Sequence, residues 1–168
     1  MKESSVTADR IEKKTILRAP LSKVWSAISD AKKFGTWFGV DFDGPFVAGK
    51  KMSGRIVPTK VDPEVAEHQK PYEGKAFDFT VDRIEPERLF SFRWHPFAVE
   101  PDYDYSKEEM TLVTFELEEA EGGTLLKVTE SGFDKIPLER RAKAFAMNEG
   151  GWEAQTKLVA KYVEVYAG

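Results

Sequence analysis

The sequence contains no cysteine, which excludes disulfides and thiol chemistry and removes the commonest ligand of structural zinc sites. Its two histidines, His68 and His95, fall in neither an HxxxH nor an HxH pattern, so no metal site is expected. There is no basic block: 25 Lys and Arg stand against 29 Asp and Glu, for a net charge of −4. Nucleic acid, whose phosphates need a cationic footprint, is therefore not an expected partner. No apolar run approaches the roughly 20 residues of a membrane-spanning helix, and the opening MKESSVTADR lacks the apolar centre of a signal peptide. Together these absences lead us to expect a soluble, cytoplasmic protein with no membrane span. Nucleophile elbows, phosphate-cradling glycine loops and HExxH are missing too. No cofactor is expected.

What the sequence does have is aromatic side chains: 12 Phe, 5 Tyr and 4 Trp in 168 residues. That length suits one domain, 1–168, with a real core, preceded by a flexible segment at 1–9. Arg10 to Leu17 reads as a first strand. Leu21, Val24, Trp25 and Ile28 recur at helical spacing, with Ser22 as a candidate cap, and Asp30 is placed to cap a second short helix from Ala31 to Trp37. Strands are then expected at Val40–Phe46, Lys51–Pro58, Lys75–Ile84, Leu89–His95, Met110–Glu118 and Thr124–Ser131. The clearest alternation sets Phe77, Phe79 and Val81 on one face and Asp78, Thr80 and Asp82 on the other. Residues 59–74 and 96–109 read as two long loops. From Pro137 to Tyr166 one long helix is expected, with Phe145, Trp152, Val159, Val163 and Tyr166 forming an apolar stripe.

The order is β-α-α-β6-α, an α+β chain. Short hairpins make the sheet antiparallel, with one apolar face, and the long helix is the element available to cover it. The expected fold is a helix-grip: a curved antiparallel seven-stranded sheet wrapped around a long C-terminal helix.

Four segments carry a family resemblance: ILRAPLSKVWSAISDAKKFGTWF (Ile16–Phe38), VDRIEPERLFSFRW (Val81–Trp94), VTFELEEAEGGTLLKVTESGF (Val113–Phe133) and GGWEAQTKLVAKYVE (Gly150–Glu164). In this order they resemble the family of activator of heat-shock-protein-90 ATPase homologues, within the START/SRPBCC (birch-pollen-allergen-like) superfamily. The resemblance implies a helix-grip domain with an internal apolar pocket for a hydrophobic molecule that is lipid-like, aromatic or polyketide-like. It also allows two other functions: a module that stimulates a chaperone ATPase, and a cofactor-free cyclase or hydrolase. The loops at 59–74 and 96–109 are longer than the family pattern.

Bulky aromatics at Trp37, Phe38, Phe77, Phe79, Phe92, Trp94 and Trp152 either fill the core or shape the gap that a helix leaves over a curved sheet. Asn148 joins them as a candidate ligand contact because it lies beside Gly150-Gly151. Those glycines cost up to about 1 kcal/mol each in a helix, so they imply a kink, a close neighbour or a helix that begins near Glu149. Period two carries Glu130 inward after Leu126 and Val128, unless the strand has already reached a solvated rim. Arg83 and Arg93 are its conceivable ion partners. Glu130 and His95, with Tyr72, are the candidates for acid–base work, although alternation turns His95 away from the Phe92/Trp94 face unless a strand-end bulge reverses it.

Overall fold

The computed structural model describes residues 10–96 and 103–166. Seven antiparallel strands, β1 (Arg10–Leu17), β2 (Val40–Phe42), β3 (Lys51–Ile56), β4 (Ala76–Glu85), β5 (Leu89–Trp94), β6 (Thr111–Ala120) and β7 (Gly123–Ser131), form one sheet in the order β1-β7-β6-β5-β4-β3-β2. Helices α1 (Leu21–Ser29) and α2 (Ala31–Phe38) connect β1 to β2, and α3 (Pro63–Gln69) lies between β3 and β4. Helix α4 (Leu138–Lys161) follows the sheet and ends in a π-helical turn at Tyr162–Tyr166. This is the helix-grip fold.

The core is an aromatic block between these layers. Phe34 of α2 is fully buried, and its ring lies 6.2 Å from Phe79, 6.2 Å from Phe90 and 6.1 Å from Phe115. Burial of each such ring contributes on the order of 1.5–3 kcal/mol. Asp30 caps α2 by accepting hydrogen bonds from the Lys32 and Lys33 amides, which fixes the turn between the two short helices. The Trp37 indole then donates to the Ala27 carbonyl at 3.0 Å, tying α2 back to α1. On β3, Gly54 is required by contact: a Cβ there would lie 2.3 Å from the Asp41 carbonyl oxygen.

The structure corrects several expected boundaries. The second strand stops at Phe42, because Asp43-Gly44-Pro45 turns the chain. Ser22 does not cap α1, whose N-cap is Pro20 with no side-chain hydrogen bond. Residues 59–74 are no bare loop: Asp62 caps α3, Pro63 occupies its first turn, and a 3-10 turn spans Lys70–Tyr72. A further 3-10 turn at Tyr105–Lys107 sits in the second expected loop, whose residues 97–102 lie outside the described ones, as do residues 1–9. Helix α4 runs through Gly150 and Gly151 without interruption, so it does not begin at Glu149. No backbone presses on either glycine; an added Cβ would meet nothing within 4 Å.

A β-bulge decides which charges face inward. The β4–β5 register shifts between Val81 and Arg83, and an inserted residue reverses the alternation beyond it. Arg83 consequently points outward and pairs with Glu85, while Asp82 accepts a hydrogen bond from buried Ser91 at 2.9 Å. Arg93 approaches Asp82 at 4.0 Å. Neither arginine reaches Glu130.

Candidate binding site

The inward face of β7 ends on Glu130, which is fully buried, not solvated at a rim. Register places it beside the ends of two other strands: Val113 pairs with Glu130 on β6, and Trp94 at the end of β5 pairs with Thr111 at the start of β6. Trp94 and Thr111 donate to Glu130 Oε2 at 2.8 and 2.5 Å. From α4, the Trp152 indole donates to Oε1 at 2.8 Å, and the Asn148 amide reaches both oxygens at 3.0 and 3.1 Å. A buried carboxylate is tolerated when its lone pairs are met. Here two indoles, an amide and a hydroxyl meet them, with no ion pair to Glu130 among the described residues. The cluster joins β5, β6, β7 and α4 at one point.

Next to this hub lies an open cavity of about 550 Å³. Phe38, Phe77 and Trp94 form its aromatic wall, with ring centroids 5.8–6.2 Å apart. Asn148, Gly151 and Gln155 line it from α4, because residues three, four and seven apart share one helix face. The lining also takes Tyr72 from the turn after α3, and His95 and Tyr105 from the chain following β5.

The sequence-level candidates therefore separate. Phe38, Phe77, Trp94, Asn148 and His95 line the cavity; Trp37, Phe79, Phe92, Trp152 and Glu130 do not. Trp37, Phe79 and Phe92 are buried in the core, Phe79 and Phe92 being stacked at 4.1 Å. Trp152 and Glu130 stand behind the wall in the hydrogen-bonded hub. His95 lies one residue beyond the end of β5, so strand alternation does not govern it and the expected outward orientation is overturned.

Sequence reading missed Gln155 and Gln69. Gln155 donates through Nε2 to the Phe38 carbonyl at 3.2 Å. Gln69 donates to that same carbonyl at 3.3 Å and accepts from the Thr59 amide at 2.7 Å. Gln155 could have been found from its position seven residues after Asn148. Gln69 carries no such signal, since its partners are distant in sequence.

Also missed was the clamp that holds the second loop. Arg140, near the start of α4, contacts Glu108 through Nε and Nη2 at 2.9–3.2 Å and donates to the Pro96 carbonyl at 2.9 Å. Its guanidinium stands 4.9 Å from the Tyr105 ring centroid. Tyr103 donates its hydroxyl to Glu108. Burial opposes ionisation of Glu108, but the hydrogen bonds from Arg140 and Tyr103 outweigh it and hold the carboxyl below its ordinary 4.5. The same bond to Glu108 raises the Tyr103 hydroxyl above its ordinary 10.0.

Among the described residues no group of three or more potential ligands could hold a metal ion, and no helix is long and apolar enough to cross a membrane.

The family model described as "Activator of Hsp90 ATPase homolog 1-like protein" matches residues 18–164. No curated protein matches the sequence. Solved structures that resemble the fold include DynU16, from the dynemicin biosynthetic locus, at 24% identity and a TM-score of 0.65. That match covers 94% of this chain but 48% of DynU16, so the chain spans about half of that protein's length. SSP2350 from Staphylococcus saprophyticus matches at 21% identity and a TM-score of 0.65, covering 93% of this chain and 92% of that one. The Aha1 dimer from Colwellia psychrerythraea matches at 18% identity and a TM-score of 0.66, covering 95% and 98%.

Proposed function

Because this chain belongs to the activator of Hsp90 ATPase homolog 1-like family, we propose that it is a small binding protein whose cavity takes a hydrophobic molecule. The observation that carries this reading is a cavity of about 550 Å³ with an aromatic wall that no side chain among the described residues fills. Ligand pockets commonly fall between about 300 and 1,000 Å³, with apolar walls and a few placed polar groups. Gly151 supports the same reading. It lines the cavity, and no packing contact requires its missing side chain.

Glu130 favours binding over catalysis. Its two oxygens are engaged by Trp94, Thr111, Asn148 and Trp152, so it works as a structural anchor for the wall. A general base needs an oxygen within hydrogen-bond reach of a substrate proton, and Glu130 does not line the cavity.

Native mass spectrometry of the purified protein, combined with displacement of the neutral fluorophore 1-aminoanthracene, tests the proposal. We expect a saturable site that Gly151→Leu closes. Absence of both a bound species and probe uptake would overturn it. The family description gives a second reading, assistance to a chaperone ATPase, and an unchanged ATPase rate of the host chaperone on adding this protein would remove that one.

A further inference from the structure

With no cysteine in the chain, methionine is the only side chain that can take up a two-electron oxidant at sulfur. The four methionines do not stand alike. Met1 lies outside the described residues, and Met52 is sealed in the core at 1% exposure. Met110 and Met147 are 38% and 49% exposed, and of these two only Met147 lines the cavity. It sits on α4 beside Asn148 and one turn before Gly151, which line the same wall. Gly150 and Gly151, bare in that next turn, supply no side chain to screen it. An exposed thioether thus forms part of the wall that an apolar guest must cover.

Resting on the binding reading above, we infer that Met147 is a modification site: a hydroperoxide oxidises it to the sulfoxide, and the oxidised wall holds an apolar guest less tightly. The sulfur lone pair attacks one peroxide oxygen, so an S–O bond forms as the O–O bond breaks. The S–OH proton then passes to the departing hydroxide. Sulfur is oxidised by two electrons, and hydrogen peroxide is reduced to water. The product is a polar, chiral side chain in place of a flexible apolar one. A guest lying over it takes the S–O oxygen out of water without offering a donor, which costs binding. Methionine sulfoxide reductases reverse the change, so the effect is a switch. Met110, exposed but off the cavity, is its internal control.

Fluorescence titration of the full chain with 1-aminoanthracene, before and after graded doses of hydrogen peroxide, tests this, with peptide mass spectrometry assigning each added oxygen. Affinity should fall about five- to tenfold, the range of one polar group covered without a partner. The loss should follow the oxidised fraction of Met147 and not that of Met110, and reductase treatment should restore it. Met110→Leu should keep the full response. For Met147→Leu, the ratio of affinities before and after peroxide should be close to one. Unchanged affinity once Met147 is oxidised, a loss that follows Met110, or an equal loss in Met147→Leu would overturn the inference and leave the binding function standing. Peroxide that converts Met110 but spares Met147 would overturn it as well. Failure of the untreated protein to bind the probe would overturn both. The wild-type dose series decides the matter even if Met147→Leu does not fold.

Discussion

Trp94 and Trp152 come from opposite layers of the fold, the sheet and the long helix, yet their indoles donate to the two oxygens of one carboxylate, Glu130, each at 2.8 Å. Their rings lie 5.8 Å apart. The hydrogen bonds therefore fix the spacing between α4 and the end of β5, and with it the position of the Trp94 ring in the cavity wall.

Glu130→Gln tests this anchor. An amide offers one acceptor oxygen, so whichever way it turns, one indole N–H is left facing an NH₂. The expected loss is about 2–3 kcal/mol of unfolding free energy, read by urea denaturation, with altered tryptophan emission in the folded protein. Unchanged stability would show that the hub is not holding the layers together.

Gly151 gives the opposite expectation. Gly151→Ala should raise stability by up to about 1 kcal/mol through helix propensity, because an added Cβ meets nothing within 4 Å. Gly151→Leu should keep the fold and weaken 1-aminoanthracene binding by at least about tenfold, since one misplaced side chain in a pocket readily costs about 1.4 kcal/mol. Undiminished binding would move the site elsewhere.

Gly54 contrasts with it. Gly54→Ala would put a Cβ 2.3 Å from the Asp41 carbonyl oxygen, and relief of such overpacking costs about 1–3 kcal/mol. Thermal denaturation should show the drop, and equal melting temperatures would mean that β2 yields freely.

The Arg140–Glu108 clamp carries an acid dependence. Glu108 is held below its ordinary 4.5, so its contribution is complete above that value in the unfolded chain and is lost as pH falls through the lower folded one. Side-chain exposures of 14% and 4% make this a largely buried pair, and Arg140→Met should cost about 3 kcal/mol at pH 7. The variant should also lose less stability than the wild type between about pH 5 and pH 3. Parallel acid profiles in urea titrations would contradict the assignment.

How much of this was legible depended on whether the signal was local. Period two gave the β4 face through Phe77, Phe79 and Val81, and it carried Glu130 inward on β7. It failed for Arg83 because a bulge next to Asp82 has no marker in DRIEPER. Helix α3 was written in DPEVAEHQ, where Asp62 is a cap and Pro63 a first-turn proline; reading the proline as a breaker hid it. The cavity wall was harder. Trp37 and Trp94 are alike in type, and only the Ala27 carbonyl that captures the Trp37 indole assigns one to the core. The glutamine pair and the Arg140 clamp join residues more than 30 positions apart, a relation that no local pattern encodes.

The Phe38 carbonyl, which takes hydrogen bonds from both Gln69 and Gln155, makes a single oxygen the shared pivot of two separate segments. Gln69 ends α3 and Gln155 lies on α4, so one acceptor ties the two helices together at the cavity wall. Tyr72 follows in the same segment and also lines the cavity, so filling the cavity is expected to steady that segment. Amide hydrogen exchange at 63–72 should slow when the cavity is filled, though no residue of α3 other than Gln69 lines it.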